Sequence, residues 1–392
     1  MATEHETRGP RDAPGPAPAA GPDAPALPAP PADATAPGPL GALALVAVGL
    51  LAFLAVARLQ RAVLPYPEGS PLGPKLEHLA TDPDAYDLVY LGSSTVYRHF
   101  VPAVFDARMA ELGYPLRSLN LGAPGLGGFE ADAALRELAA VEGLETAFVL
   151  LEPSGPTLEL PGFRAPTARQ VHAHDPVTVL RVLLEARAQT ARPRGERLEA
   201  VLRRLRCAAW RLANYGQGPR LVDGLRGRAP HDADRDRIAA DAGYQALEDD
   251  PDPTVARRRA GFLAEPSDLA EAVARLDRRR ARPGTWATPA GAWHGRQADA
   301  VRALGATPVH VLSATTMANT ALWALADAPG APPLLAYNLP ATFPRLYRAE
   351  GRFDKNHLAR DEAAWLSRRL AEDLVARLGP ELDAWRAARG GD

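Results

Sequence analysis

Apolar residues follow three patterns along this chain, and each predicts a different kind of structure. The first is an uninterrupted run from Leu40 to Ala57 that contains neither charge nor proline. About 18 apolar residues is the length that a helix needs to cross a bilayer, so we predict a transmembrane helix over residues 39–58. A buried core helix would normally keep a polar face, and a cleaved signal peptide would lie nearer the N-terminus.

Short apolar segments alternating with helical ones form the second pattern. Strands are predicted in the segments DLVYLG, SLNLG, TAFVLLEPS, PVHVLSA and LLAYNLP. Helices are predicted at Pro102–Leu112, Phe129–Val141, Ala287–Leu304 and Asp361–Leu378. Apolar strands separated by helices are typical of a parallel sheet covered on both faces. The sequence therefore predicts one α/β domain in two parts, residues 84–154 and 286–392.

The third pattern fills residues 155–285, where amphipathic, arginine-rich helices such as RLEAVLRRLRCAAWRLA interrupt the alternation. We predict that this block is a large helical insertion, or cap, in the α/β domain. Residues 1–38 are mostly Ala and Pro and show no apolar periodicity. Such a segment buries too little apolar surface to offset chain entropy, so we expect it to be disordered.

Composition removes several classes of function. The net charge of −2 gives no general basic field, so no nucleic-acid partner is expected. Cys207 is the only cysteine, which excludes an internal disulfide. His172 and His174 form an HxH pair, but no acidic or cysteine cluster accompanies them. We therefore expect neither a metal nor a cofactor.

Two motifs follow the first two predicted strands, at the edge where open α/β sheets place their sites. Ser93 and Ser94 come directly after the first strand, where a hydroxyl serves either as a nucleophile or as a helix N-cap. The turn GAPGLGG follows the second strand, and its spacing matches a dinucleotide fingerprint poorly. The N–H of Gly125 is either a second oxyanion donor or part of an ordinary tight turn.

A third motif precedes the last helix. Asp354 and His357 lie three residues apart, which lets the carboxylate bind imidazole Nδ1 while Nε2 faces a nucleophile. The alternative is an Asx-turn with a capping role. Tyr97, Arg98 and His99 follow the serine pair, and they either line the cleft or pack against the domain.

The three motifs, in this order, resemble the SGNH (GDSL-like) hydrolase superfamily. The first block reads Gly92-Ser93-Ser94, which resembles the membrane-linked branch of polysaccharide O-acetyltransferases and teichoic-acid alanylation proteins. The resemblance covers about residues 85–154 and 287–378. It implies a flavodoxin-like, three-layer α/β/α fold.

The resemblance also implies a catalytic triad of Ser94, His357 and Asp354, with the N–H groups of Ser94 and Gly125 as oxyanion donors. The family's third block normally reads Gly-x-Asn-Asp, but the corresponding segment here, residues 151–154, reads LEPS. The asparagine that serves as an oxyanion donor is therefore missing. Candidates for a substitute donor are Asn120, Asn338 and Ser154.

We accordingly expect a serine esterase or O-acyltransferase that acts on acyl esters, above all acetyl esters, of cell-envelope glycans. The expected partners are an acylated polysaccharide or lipid-linked substrate and a membrane acyl-transfer protein. The missing asparagine keeps a second hypothesis open, a non-catalytic glycan-binding or assembly protein with the same fold. A third is a lipase or thioesterase with the cap as a lid.

The expected location is a single-pass membrane protein. Arg58 and Arg61 follow the apolar run, and the positive-inside rule places the C-terminal domain in the cytoplasm. An envelope substrate requires the opposite orientation. We expect the catalytic domain to be extracytoplasmic, against the arginine distribution.

Overall fold

A computed structural model describes most of the chain beyond the N-terminal tail. The described residues are 38–63, 66, 71–160, 166–214, 222, 226, 232–280, 289–317, 322 and 330–390. The predicted disorder of residues 1–38 concerns a segment that lies almost entirely outside these residues. The chain divides into two units, Met1–Ala52 and Phe53–Asp392.

Five parallel strands form the sheet of the second unit, which confirms the predicted α/β class. They are β1 (Leu88–Gly92), β2 (Ser118–Gly122), β3 (Phe148–Leu151), β4 (Thr307–Leu312) and β5 (Leu334–Ala336). Their order across the sheet is β2-β1-β3-β4-β5. The ends of β1 and β2 are in register, since Gly92 pairs with Gly122. The turns that follow these two strands therefore start side by side.

Packing explains why β1 is apolar throughout. Leu88 and Tyr90 of β1 belong to one buried cluster, and Val89 and Leu91 belong to a second one. Alternate side chains of a strand point to opposite faces of the sheet. Both faces of the sheet are therefore covered.

Helices precede the first strand and connect the others. Before β3 these are α1 (Pro39–Val63), α2 (Leu72–Thr81), α3 (Ser94–His99), α4 (Pro102–Glu111) and α5 (Gly128–Ala139). Between β3 and β4 they are α6 (Ala168–His172), α7 (Pro176–Ala188), α8 (Arg194–Leu212), α9 (Asp232–Asp241), α10 (Pro253–Ala264), α11 (Ser267–Arg280) and α12 (Pro289–Ala303). The described part of the 155–285 block thus contains helices and turns and no strand.

The last helix, α13 (Arg360–Arg389), is longer than the sequence suggests. We expected it to end at Leu378, and the structure has non-helical angles there, with φ −123°. Pro380 lacks a backbone N–H, so it breaks the regular hydrogen bonding one turn earlier. The helix then resumes because Leu382 is buried in the core.

One described helix is long and apolar enough to cross a membrane. It is the segment Pro39–Arg61 of α1, with a mean hydropathy of 2.7. Within the second unit, the amide nitrogen of Asn214 donates to the carbonyl of Ala57 at 2.9 Å, and Arg61 donates to the carbonyl of Arg211 at 2.7 Å. These hydrogen bonds fix the last turns of α1 to the end of α8.

Candidate active site

The two serines after β1 have separate roles in the structure. The Ser93 hydroxyl caps α3 by accepting a hydrogen bond from the N–H of Thr95 at 3.4 Å. The Ser94 hydroxyl lies 2.9 Å from Nε2 of His357. The capping alternative is therefore realised by Ser93, and the nucleophile alternative stays a prediction for Ser94. The serine beside a histidine is Ser94.

The Asp354–His357 motif forms a tight loop before α13. Nδ1 of His357 lies 2.9 Å from Oδ1 and 3.0 Å from Oδ2 of Asp354. Oδ1 also accepts hydrogen bonds from the backbone N–H groups of Asn356 and His357, at 2.8 and 2.9 Å. The Asx-turn and the carboxylate–imidazole pair thus coexist. Ser94, His357 and Asp354 form one hydrogen-bonded chain.

Electrostatics keep the Asp354 carboxylate ionised. Burial alone would raise its pKa, but the hydrogen bond and charge of His357 and the two backbone N–H groups outweigh that effect. The pKa of Asp354 therefore lies well below its usual value. The side chains of His357 and Asp354 are 16% and 15% exposed. The ring is held by the carboxylate, yet the site remains open to solvent.

Two buried residues support this loop from behind. Nε2 of His99, on α3, accepts a hydrogen bond from the N–H of Leu358 at 2.9 Å. Burial, reinforced by the charges of His357 and Arg352, lowers the pKa of His99 well below its usual value, so its ring is neutral. Arg352 is fully buried and donates to the carbonyls of Leu346 and Lys355 at 2.6 and 2.9 Å. The loop backbone is thereby fixed on both sides of Asp354.

Tyr97 and Arg98 pack against the insertion. The Tyr97 hydroxyl donates to the side chain of Gln245 at 2.6 Å, and Arg98 donates to the carbonyl of Gln245 at 3.0 Å. His99 supports the His357 loop, whereas Tyr97 and Arg98 hold Gln245. Packing is therefore the role that the structure gives them.

Glycines shape the turn after β2. A Cβ on Gly122 would come within 2.2 Å of the backbone nitrogen of Tyr97, so α3 can approach β2 only at a glycine. Gly125 has a φ of +66°, the left-handed conformation that glycine adopts without strain. A terminal nitrogen of Arg169, on α6, lies 3.8 Å from the position that a Cβ on Gly125 would take. A residue of the insertion therefore covers the predicted oxyanion glycine.

Asn120 does not reach the site, which corrects its assignment as a possible oxyanion donor. Its side chain is fully buried, and its amide nitrogen donates to the carbonyls of Val96 and Phe100 at 2.8 Å each. Its amide oxygen accepts from the N–H of Gly122 at 2.8 Å. The asparagine joins β2 to α3 and has no donor left for a substrate.

The other two candidate residues make hydrogen bonds elsewhere, Asn338 through its side-chain amide and Ser154 through its backbone carbonyl, which is an acceptor. The side chain of Asn338 donates to the carbonyl of Met317 at 3.4 Å. The carbonyl of Ser154 accepts a hydrogen bond from the indole of Trp293 at 3.1 Å. Neither contact involves a residue of the Ser94–His357–Asp354 chain.

Glu152 directly follows β3, one residue before the position of the missing asparagine, which is Pro153 here. Its Oε2 accepts a hydrogen bond from the N–H of Ser93 at 2.6 Å, and its Oε1 accepts one from the hydroxyl of Thr95. A carboxylate thus holds the turn that carries Ser94. The sequence predicted no role for Glu152. The available signal was an acidic residue directly after an apolar strand.

The insertion also reaches the site through Arg258 on α10, which the sequence reasoning missed. Its Nε lies 3.3 Å from Oδ2 of Asp354. The two residues are far apart in the sequence, so no local spacing could have paired them.

The two histidines of the HxH pair contact different partners. Nε2 of His172 lies 2.7 Å from the carboxylate of Glu137, whereas Nδ1 of His174 lies 2.5 Å from the carbonyl of Gln170. The described residues contain no group of three or more histidines, cysteines and acids placed to hold a metal ion.

Comparisons with known proteins gave no match. No family model, no characterised protein and no solved structure matches the chain. The resemblance to the SGNH superfamily therefore stays a prediction.

Proposed function

We propose that this chain is a membrane-anchored serine esterase or O-acyltransferase that acts on acyl esters, most readily acetyl esters, of cell-envelope glycans. The observation that carries the proposal is the hydrogen-bonded chain of Ser94, His357 and Asp354. A serine beside a histidine whose far nitrogen faces a carboxylate is the arrangement that activates a hydroxyl for acyl transfer.

The geometry defines a role for each residue. His357 takes the Ser94 proton on Nε2, and its Nδ1–H stays hydrogen-bonded to the ionised Asp354. Ser94 Oγ attacks the acyl carbonyl, and the N–H groups of Ser94 and Gly125 hold the resulting oxyanion. His357 then gives its proton to the departing alcohol. Water or a sugar hydroxyl, deprotonated by His357, next attacks the acyl-serine and restores the free hydroxyl.

The sheet and the first helix support this proposal. The strand order β2-β1-β3-β4-β5 is that of flavodoxin-like sheets, the order implied by the SGNH resemblance. Ser94 follows the carboxyl end of β1 and Gly125 follows that of β2, which is where open parallel sheets place their sites. The apolar segment of α1 anchors the protein next to lipid-linked or polymeric substrates.

Covalent labelling tests the triad. A fluorophosphonate probe reacts with activated serines, so the full chain is expected to be labelled. Labelling is expected to disappear in Ser94→Ala and to persist in Ser93→Ala, where only the helix cap is lost. A folded wild-type protein that takes no label would contradict the proposal.

Product analysis determines which acyl group is preferred and which molecule accepts it. Nitrophenyl acetate is expected to be cleaved faster than long-chain nitrophenyl esters, whereas the reverse order would indicate a lipase or thioesterase. Adding an acetylatable glycan distinguishes the acceptor. Acetyl transfer to the glycan identifies an acyltransferase, and acetate release alone identifies an esterase.

Glu152 favours a second candidate, a glycan-binding or assembly protein that retains the fold without turnover. The asparagine donor is missing from residues 151–154, and the Glu152 carboxylate beside the Ser94 turn carries a charge of the same sign as the oxyanion. This candidate predicts glycan binding that survives in Ser94→Ala together with no labelling of the wild-type chain.

Orientation has its own test. We propose that the catalytic domain faces the outside of the cytoplasmic membrane, where glycan esters are found. A C-terminal alkaline phosphatase fusion, which folds only outside the cytoplasm, is expected to be active. Activity of a C-terminal fluorescent protein that folds only inside would instead agree with the positions of Arg58 and Arg61.

A further inference from the structure

Helix α10 of the insertion lies against the loop that carries Asp354. Two consecutive arginines of α10 make the contact. Nε of Arg258 lies 3.3 Å from Oδ2 of Asp354, and Arg259 donates to the carbonyl of Arg352 at 2.7 Å. One arginine thus reaches the carboxylate, and the other holds the backbone two residues before it.

Phe353 fills the space between the two guanidinium groups and the loop. Its ring centroid lies 5.7 Å from the guanidinium of Arg258 and 5.4 Å from that of Arg259. The phenyl side chain is 2% exposed. Cations stack favourably on aromatic faces, so the arginine pair and the ring fix the distance between α10 and the loop.

The partners of the two Asp354 carboxylate oxygens show what Arg258 adds, which is an ion pair. Oδ1 accepts from the N–H groups of Asn356 and His357 and from the imidazole. Oδ2 has the imidazole at 3.0 Å and Arg258 as its second partner. Among the described residues, Arg258 therefore brings a positive charge from outside the loop against the second carboxylate oxygen.

We infer that Arg258 is a positioning residue for Asp354, so that the helical insertion builds part of the catalytic centre. This inference rests on the proposed function. Arg258 aligns the carboxylate with Nδ1 of His357, and Arg259 holds α10 in the place from which Arg258 can do so. The insertion is then required for turnover even with small, soluble esters that need no lid.

The solvent exposure of Arg258 and Asp354 allows an effect on the rate to be distinguished from an effect on stability. The side chain of Arg258 is 50% exposed and that of Asp354 is 15% exposed. Ion pairs with a solvent-exposed partner add little to the free energy of folding. Arg258→Ala is therefore expected to leave the melting temperature nearly unchanged while it changes the rate.

The neighbouring arginine provides a matched control. Arg257 precedes Arg258 on the same helix, is exposed, and forms no hydrogen bond or ion pair with the described residues. Arg257→Ala removes the same side chain and charge from α10 without touching the loop. Arg258→Lys keeps a cation near Asp354 and serves as the conservative replacement.

Steady-state hydrolysis of nitrophenyl acetate by the full chain in detergent is the experiment. Arg258→Ala is expected to lower kcat roughly tenfold with KM nearly unchanged. Arg258→Lys is expected to restore most of kcat, and Arg257→Ala is expected to match the wild type. In an Asp354→Asn background, Arg258→Ala is expected to have no further effect, because its partner carboxylate is gone.

Three results would overturn the inference. The first is a wild-type kcat for Arg258→Ala. The second is an equal loss in Arg257→Ala and Arg258→Ala, which would indicate a general effect of charge on α10. The third is a full additional loss in the Asp354→Asn background. An inactive wild-type chain would instead remove the proposed function itself, and the inference would fall with it.

Discussion

At the residue scale, the most informative side chain is Glu152. It is hydrogen-bonded to the N–H of Ser93 and to the hydroxyl of Thr95, and so it braces the turn on which Ser94 lies. It also places a negative charge near the region where the proposed reaction develops an oxyanion. These two effects act in opposite directions on the rate. The two effects are distinguished by substitutions at Glu152, one that removes only the charge and one that also removes the hydrogen bonds.

Glu152→Gln keeps an oxygen that can accept from the N–H of Ser93 and removes the charge. Its esterase rate is expected to equal or exceed that of the wild type, because the like charge no longer opposes the oxyanion. Glu152→Ala removes both acceptors, and its rate is expected to fall about tenfold, since hydrogen bonds to charged groups contribute about 1.5–3 kcal/mol. The measurement is kcat for nitrophenyl acetate. Equal losses in the two variants would show that the charge itself is needed.

Gly125 gives a second prediction at this scale. Among the described residues, an added Cβ would meet only Arg169, at 3.8 Å, so Gly125→Ala has room there but adopts a strained positive φ. The strain of about 1–2 kcal/mol is expected to shift the turn. The rate is expected to fall at least about tenfold because the N–H moves away from the oxyanion.

Gly143→Ala is the matched control for Gly125→Ala. Gly143 has a similar φ of +74°, and its added Cβ would lie 3.5 Å from Pro83. We expect both variants to lose a similar amount of stability and only Gly125→Ala to lose activity. Equal activities in the two variants would exclude Gly125 from the oxyanion site.

At the scale of elements, α13 links the core to the loop that carries Asp354 and His357. Its side chains Leu366, Leu370 and Leu374 are buried in the cluster on one face of the sheet. Its Ser367 hydroxyl accepts a hydrogen bond from the N–H of Val101 at 2.9 Å, which ties it to the end of α3. The helix therefore holds the segments that carry Ser94 and His357 against the same core.

Shortening one core side chain of α13 tests this role. Leu374→Ala is expected to lower the free energy of unfolding by about 2–5 kcal/mol, because the residue is fully buried and its removal leaves a cavity. Arg377→Ala, at an exposed position of the same helix, is expected to have almost no effect. Denaturant titration measures both. A similar stability for the two variants would contradict the packing of α13.

The sequence predicted these elements well where burial alone determines them. The strands are mainly apolar, and Leu366, Leu370 and Leu374 recur at helical spacing, so the pattern of apolar residues was sufficient to predict these elements. The leucine spacing predicted an end of α13 at Leu378, because a local pattern takes no account of the burial of Leu382. The continuation of the helix is a consequence of tertiary packing.

The candidate site was predictable only in part. Ser94 and the Asp354–His357 pair lie in local motifs with a spacing that has a chemical meaning. The contacts of Glu152 and Arg258 join segments that are distant in the chain, so no spacing indicated them. The assignment of Asn120 failed for the opposite reason. Its position beside the glycine turn suggested a donor, but the backbone carbonyls of α3 occupy that donor.

At the scale of the whole molecule, four buried histidines make stability depend on pH. Burial lowers the pKa of His174 and of His294 to about 4, that of His310 to about 3, and that of His99 well below its usual value. The unfolded chain binds protons at these side chains below about pH 6.5, and the folded chain does not. Stability is therefore present above about pH 6.5 and is lost as the pH falls.

The melting temperature is expected to drop between about pH 7.5 and about pH 5. Each histidine contributes up to about 2 kcal/mol to this loss, since one pKa unit corresponds to about 1.4 kcal/mol. His310→Gln cannot take up a proton, so it is expected to lose less stability over the same interval. A melting temperature that is independent of pH in this range would contradict the neutral, buried state of these rings.

The central claim is that Ser94 carries the acyl group during turnover. The most direct measurement is to mix the full chain with nitrophenyl acetate, stop the reaction with acid, digest the protein and locate the acetyl group by mass spectrometry. The proposed mechanism predicts one acetyl group on Ser94, which is absent in Ser94→Ala and retained in Ser93→Ala. Acetyl on a different residue, or a wild-type chain that stays unmodified, would contradict it.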